Sequence, residues 1–168
     1  MNLIVAVSEN WGIGHKNELL FRISEDLQRF KKLTTGKVVV MGHNTFKSLG
    51  KPLPDRINIV LSKTEKIPGV ITCNSLEELN LVLENYPPDD IFVIGGEKIY
   101  NLLLNRCKFA YVTKIEATPP ADAFMPNLEK LENWQLTHEG LPEQQTEPVY
   151  RYNIFTNLGI VYINPLRL

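Results

Sequence analysis

Cysteine and histidine are scarce in this 168-residue chain, which has two of the first and three of the second. Cys73 and Cys107 form no close-spaced pair, which excludes a disulfide framework and a CxxC redox motif. His15, His43 and His138 are scattered and no HExxH occurs, so no metal is expected. A charge excess is missing too. The 18 Lys and Arg against 19 Asp and Glu leave a formal net charge of -1, not the basic surface of a nucleic-acid or membrane binder. Long apolar runs are also absent. Leu3 to Val7 is too short for a signal or membrane-spanning segment and no charged leader precedes it, so a protein of the reducing cytoplasm is expected. What remains is ordinary globular composition, 43% hydrophobic and 22% charged, long enough for one domain with its own core. That points to a small-molecule task.

Four short runs rich in Val and Ile read as strands: Leu3–Val7, Val38–Met41, Ile57–Leu61 and Ile91–Ile94. The second and fourth carry almost no polar residue, as strands covered on both faces do. Helical patterns fill the gaps near 24–34, 43–49, 75–85 and 96–104, and such alternation implies parallel strands joined by crossovers. After residue 105 the pattern changes. Phe109–Thr113, Trp134–His138 and Val149–Phe155 follow without helices, and the last two, separated by the polar stretch Glu139 to Pro148, suit a long hairpin. The expected fold is α/β: a single mixed, mainly parallel sheet of about eight strands with antiparallel C-terminal edge strands, flanked by four helices. Pro87-Pro88 and Pro119-Pro120 punctuate surface loops and not a domain boundary. The domain is expected over 1–157, leaving 158–168 as a C-terminal extension. That tail, with Ile160-Val-Tyr-Ile163, reads as an edge segment folding back, an oligomer contact or a cloning remnant.

The first chemical feature lies at the start of the helix near residue 24. Ser24 suits the N-cap, and Glu25 and Asp26 fall in the first turn, where the helix dipole favours negative charge. An acid there is usually only a dipole partner. The helical wheel separates the two acids. Ile23, Leu27, Phe30, Leu33 and Thr34 share one side with Asp26 among them, whereas Glu25, Gln28, Arg29 and Lys32 gather opposite. A carboxylate on an apolar side needs a partner, since an unsatisfied buried polar group costs about 1–3 kcal/mol and a charge more. No lysine or arginine occupies the neighbouring positions on that side, so a ligand with paired N–H donors would satisfy it. Burial would also raise its pKa, a common condition of acid–base groups.

Two strand–helix junctions carry glycine: Val40-Met41-Gly42 before His43-Asn44-Thr45, and Val93-Ile94-Gly95-Gly96 before Glu97-Lys98-Ile99-Tyr100. Helix N-termini present unpaired N–H groups, and glycine lets the backbone approach a phosphate. One such junction is usually only a turn. Two at the carboxyl ends of parallel strands mark where α/β sheets bind ligands. The GxGxxG fingerprint is absent, which does not support a standard Rossmann site. The loop Glu9-Asn10-Trp11-Gly12-Ile13-Gly14, continued by His15 to Arg22, reads either as a mobile lid or as a surface loop with one anchoring aromatic.

Together these features resemble the bacterial dihydrofolate reductases, from Leu3 to about Thr156. The resemblance rests on Ala6-Val7 with Gly12-Ile13-Gly14, Glu25-Asp26-Leu27 with Phe30-Lys31, and Val40-Met41-Gly42 with Thr45-Phe46 and Ser48. Lys51-Pro52-Leu53-Pro54 with Arg56, Asn58 to Ser62, and Ile94-Gly95-Gly96 with Tyr100, Thr113 and Asp122 complete it. It implies a cytoplasmic, monomeric enzyme of one-carbon metabolism that reduces 7,8-dihydrofolate to tetrahydrofolate with NADPH and binds antifolates, without nucleic-acid or membrane partners. Asp26 would hold the pterin amino group and ring N–H and favour protonation of the ring nitrogen beside the hydride-accepting carbon, with Thr113 and Phe21 completing the catalytic set. Val5, Ala6, Leu27, Phe30, Leu49, Leu53 and Ile94 would line the substrate cleft, and Arg56 would pair with the glutamate tail. NADPH would contact Ala6, Ile13, Gly14, Leu19, Gly42, His43, Asn44, Thr45, Leu61, Ser62 and Lys63, then Ile94, Gly95, Gly96, Lys98, Ile99 and Tyr100. Asp122 would brace the lid near Gly14.

The chain departs from the family pattern at three places. Leu20-Phe21 stands where the lid usually carries Pro-Trp, and a phenyl ring lacks the indole N–H that helps order a water beside the pterin. His43 replaces a frequent arginine at the adenosine 2′-phosphate, a charge that Lys63 could supply. Residues beyond 157 extend past the usual end. Two rival readings exist. A reductase of riboflavin synthesis shares the fold and cofactor but should not need an acid on this helix, so Asp26, Phe30 and Arg56 oppose it. A folate-binding protein with weak or no turnover draws on Phe21 and is opposed by Asp26 and Thr113.

Overall fold

The computed structural model describes residues 1–64, 66–144 and 147–160. In chain order the elements are β1 (Asn2–Val7), β2 (Gly12–His15), β3 (Glu18–Leu19), α1 (Ser24–Thr34), β4 (Val38–Gly42), α2 (His43–Leu49), β5 (Ile57–Leu61) and β6 (Ile71–Cys73). Then come α3 (Leu76–Leu83), β7 (Ile91–Gly95), α4 (Glu97–Leu103), β8 (Phe109–Ile115), β9 (Ala123–Phe124), β10 (Trp134–Glu139) and β11 (Tyr150–Asn157). Eight strands form one sheet in the order β10-β11-β8-β1-β7-β4-β5-β6. Pairing is parallel from β8 to β6 and antiparallel where β11 joins β8 and β10 joins β11, the mixed sheet expected.

The apolar runs become inner strands because both their faces are covered. In β4, Val38 and Val40 join Leu3, Val93 and Ile59 in a core closed by Leu79 and Leu83 of α3 and Ile99 and Leu103 of α4. Val39 and Met41 face the other way, with Val60, Phe46 of α2 and Leu53. Ala110 and Val112 belong to the first core, so alternation along β8 turns Tyr111 and Thr113 to the second face, where α1 lies.

Two parts of the fold were not anticipated. Strand β6 is three residues long, too short for a periodic signal. The segment expected as a lid or anchored loop carries two short strands, β2 and β3, which join β9 in a small sheet, β3-β2-β9. Its β2–β3 hairpin turns at Lys16 and Asn17, both at positive φ (50° and 63°), as a two-residue primed turn requires. Nor does Ser24 cap α1. The chain enters extended through Ile23, whose carbonyl accepts from the Leu27 N–H at 3.0 Å, and Ser24 is already the first helical residue. Most of the C-terminal extension lies outside the described residues.

Strands β1 and β7 pair only at Asn2↔Phe92 and Leu3↔Val93, whereas β1 follows β8 as far as Val7↔Lys114. The sheet therefore opens between β1 and β7 toward their carboxyl ends. A crevice at that place in a parallel sheet is where ligands bind.

Candidate active site

Across the sheet, Ala6 of β1, Thr113 of β8 and Tyr152 of β11 are register partners and share one face. Asp26 descends onto this row from the first turn of α1. It is half-buried, and the buried Thr113 hydroxyl donates to its Oδ1 at 2.5 Å. Burial raises the carboxyl above its usual 3.8, while the Thr113 bond and the nearby Arg29 charge pull it back down without cancelling the rise. The result is a carboxylate with one oxygen held and a proton affinity above that of a surface acid.

Two residues near Asp26 lie elsewhere than expected, Arg29 because three residues along a helix is only about 60° around it. Arg29, expected in solvent, is half-buried with its guanidinium 4.2 Å from the centre of the Tyr152 ring. A long side chain can lie along an apolar surface, and β11 extends that surface under α1. Leu27, placed by the wheel on the apolar side and by the resemblance in the substrate cleft, is 46% exposed. Leu49 of α2 is likewise 38% exposed. Exposed apolar side chains such as these suit contact with a flat hydrophobic ligand.

At the far end of α1, Arg56 reaches the helix from the loop before β5. Its Nη1 donates to Thr34 Oγ1 at 3.1 Å, its Nε to the Pro54 carbonyl at 2.8 Å, and its guanidinium carbon stands 6.0 Å from the centre of the Phe30 ring. The loop before Arg56 is held by Asn58, a buried side chain that bonds both the N–H and C=O of Leu53 at 2.9 Å. Its place in the β5 pattern gives no sign of that role. Val5 points its side chain into the α3–α4 core, on the opposite face from Ala6, and could serve the crevice only through its backbone.

The two glycine junctions converge. A Cβ on Gly96 would lie 3.2 Å from Thr45 Oγ1, and one on Gly95 would lie 3.6 Å from the same atom, so α2 and the β7–α4 turn face each other closely. Gly95 has φ +125°, a conformation that L side chains rarely adopt. Ile94 sits at a register shift between β4 and β7, and Ile99 packs on Gly42. Tyr100 is buried under the turn, with its hydroxyl donating to the Ile4 carbonyl at 2.8 Å across the opening between β1 and β7. At the end of β5, Ser62 Oγ lies 3.4 Å from His43 Nδ1, which places the exposed Lys63 beside the start of α2. Lys98 and Asn44 are exposed on the first turns of their helices, and Leu61 is half-buried.

The β2–β3 hairpin borders the same space. Asp122 accepts from the Lys16 N–H at 2.9 Å, and its own N–H donates to the Gly14 carbonyl at 3.0 Å. At the hairpin tip, the Asn17 carbonyl accepts from Ser48 of α2 at 2.5 Å. Ile13 and Gly14 are half-buried and Leu19 is 55% exposed. Phe21 is half-buried and lines an open cavity of about 450 Å³ with Leu20, Ile23, Glu25 and Pro148, beside the first turn of α1.

The family model described as dihydrofolate reductase matches residues 1–158. The chain belongs to the dihydrofolate reductase family. The dihydrofolate reductase of Staphylococcus aureus is 33% identical over 153 residues, 88% of this chain and 92% of that protein. That of Haemophilus influenzae is 38% identical over 136 residues, 80% of this chain and 83% of that one. The solved dihydrofolate reductase from Enterococcus faecalis, complexed with NADP(H) and RAB-propyl, superposes with a TM-score of 0.81 at 28% identity, covering 93% of this chain and 95% of its own. The architecture is that of the family, and the cradle between Thr45 and the Gly95–Gly96 backbone fits the family's dinucleotide, since any side chain on those glycines would fill it.

Proposed function

We propose that this chain reduces 7,8-dihydrofolate to 5,6,7,8-tetrahydrofolate with NADPH, and that Asp26 is the group that controls the proton. The observation that carries the reading is the position of Asp26, half-buried on the face of Ala6 and Thr113 at the open end of the sheet, with a raised pKa. NADPH, when bound, supplies the hydride. Gly42, Thr45, Gly95 and Gly96 would hold its phosphates, and Ala6, Ile13 and Tyr100 would lie toward the nicotinamide. Asp26 accepts the pterin amino group and ring N–H, an arrangement of paired donors that a carboxylate matches. Thr113 holds one oxygen of Asp26, which would leave the other to the ligand. One proton is shared by Asp26 and the substrate, so turnover falls as pH rises past the value at which the pair releases it. Leu27, Phe30, Leu49 and Leu53 exclude water from the ring system, and Arg56 takes the glutamate carboxylate.

Purified protein with NADPH and dihydrofolate should consume reduced nicotinamide, followed by its absorbance. Tight folate binding without turnover would leave only the binding-protein reading. A cytoplasmic monomer belongs to the same proposal. Both cysteines are buried and free, and among the described residues no helix is long and apolar enough to cross a membrane.

Lys63 is the candidate for the 2′-phosphate, because the Ser62–His43 contact sets it next to the start of α2. Lys63→Ala is expected to weaken NADPH roughly fivefold, the worth of one exposed charge-assisted contact, and to leave NADH unchanged. Equal losses for both cofactors would place the 2′-phosphate contact elsewhere.

A further inference from the structure

We infer that Arg29 is a positioning residue for the reaction: its guanidinium, held on the Tyr152 ring about one helical turn from Asp26, is the fixed cation that sets where turnover falls with pH. The inference rests on the reading of Asp26 as the proton-controlling group.

Four side chains carry it. Asp26 and Arg29 are three residues apart on α1, a spacing that makes them neighbours on the helix surface. Arg29 stands over Tyr152, Tyr152 is the register partner of Thr113, and Thr113 donates to Asp26. The cation is thus fixed beside the carboxylate by the same row that fixes the carboxylate. Arg29 and Asp26 make no direct ion pair, and Arg29 Nη1 is buried without a hydrogen-bond partner among the described residues. The absence of contact matters. A direct bridge would occupy the oxygen that faces the ligand, whereas an offset cation in a partly desolvated site biases the charge and leaves the acceptor open.

The other groups facing this pair are Thr113 and Tyr111 on β8 and Tyr152 with Tyr150 on β11. Thr113 does not titrate. Burial pushes the Tyr152 phenol further up, so it stays neutral through the physiological range. Glu25, the other acid of the first turn, is exposed. Among the described residues, Arg29 is the cation placed to act on Asp26.

The test uses Arg29→Gln, Arg29→Met and Arg29→Lys in the full chain, each checked for folding by thermal melting. The Met variant keeps the packing on Tyr152 without charge, should the Gln variant fold poorly. Carbon-13 NMR follows the Asp26 carboxyl in unliganded protein, and single-turnover hydride transfer is measured across pH. Both neutral variants should raise the Asp26 midpoint by about half a pH unit, with roughly threefold faster transfer on the alkaline limb. Lysine should restore the parent profile. Unmoved Asp26 titration in the neutral variants would overturn the inference, as would a Lys variant that behaves like Met, because stacking rather than charge would then matter. A shifted Asp26 midpoint with an unmoved rate profile would instead refute the proton-controlling reading of Asp26, and with it the kinetic half of this inference.

Discussion

Asp26→Asn is expected to lower turnover near neutral pH by roughly 10²–10⁴-fold and, at the same pH, to melt at a higher temperature than the parent. The amide keeps the shape of the carboxyl and can still accept from Thr113 through its oxygen, so the local fold survives. Its NH₂ group, however, meets the N–H donors of the pterin with donors of its own, and no charge remains to favour substrate protonation.

The gain in stability follows from the same burial that makes the group useful. The folded-state carboxyl is raised above 3.8, chiefly by desolvation, so the folded chain binds this proton more tightly than the unfolded chain. Below the unfolded value the group is neutral in both states, and variant and parent should melt alike. As pH rises through the folded value, the parent loses stability to an unfolded chain whose carboxylate is fully hydrated. Above it the difference is complete, and the variant should melt measurably higher than the parent. Turnover assays and paired melts near neutrality and near the unfolded value check both halves. Normal turnover would refute the role of Asp26, and a lower melting temperature at neutral pH would refute the burial cost.

Gly95→Ala should damage both stability and cofactor binding. At φ +125° a Cβ is strained whatever room surrounds it, and the nearest atoms, Tyr100 Cε2 at 3.4 Å and its hydroxyl at 3.5 Å, are at ordinary contact. The cost is therefore in the backbone, about 2 kcal/mol and roughly 4–8 °C of melting temperature. Relief of the strain would rotate the turn that faces Thr45, so NADPH affinity should fall at least about tenfold, or about 1.4 kcal/mol. Gly36→Ala is the control. It also has a positive φ (+77°) but nothing within 4 Å, so it should lose stability and keep NADPH affinity. Loss of NADPH affinity in both variants would mean that global destabilisation, not the β7–α4 turn, is responsible.

The main strands and all four helices were legible in the sequence, because burial on two faces leaves an unbroken apolar run and burial on one leaves a helical period. Asp26 stood out for the same reason, as an acid among apolar positions. Segments stabilised mainly from outside were not legible. Strand β6 is a strand because β5 lies beside it. The Lys16–Asn17 turn forms because β9 and Asp122 hold its flanks, with no Asn-Gly to announce it. Asn58 looked like a strand residue, yet its work is to clamp the Leu53 backbone, a loop contact invisible to periodicity.

By itself, then, the sequence determined the α/β class, the glycine junctions and the candidate acid, since each depends on residue type and local spacing. Only the tertiary structure decided what surrounds that acid. A wheel assigns sides relative to one imagined core, but α1 stands with one flank on β8 and β11 and another over an open crevice. That is why Leu27 is exposed, while Arg29, three residues on from Asp26 and so on a neighbouring flank, lies on Tyr152 beside it. The partners come from strands 87 and 126 residues further along the chain, and strand register alone brings Thr113 and Tyr152 side by side beneath it.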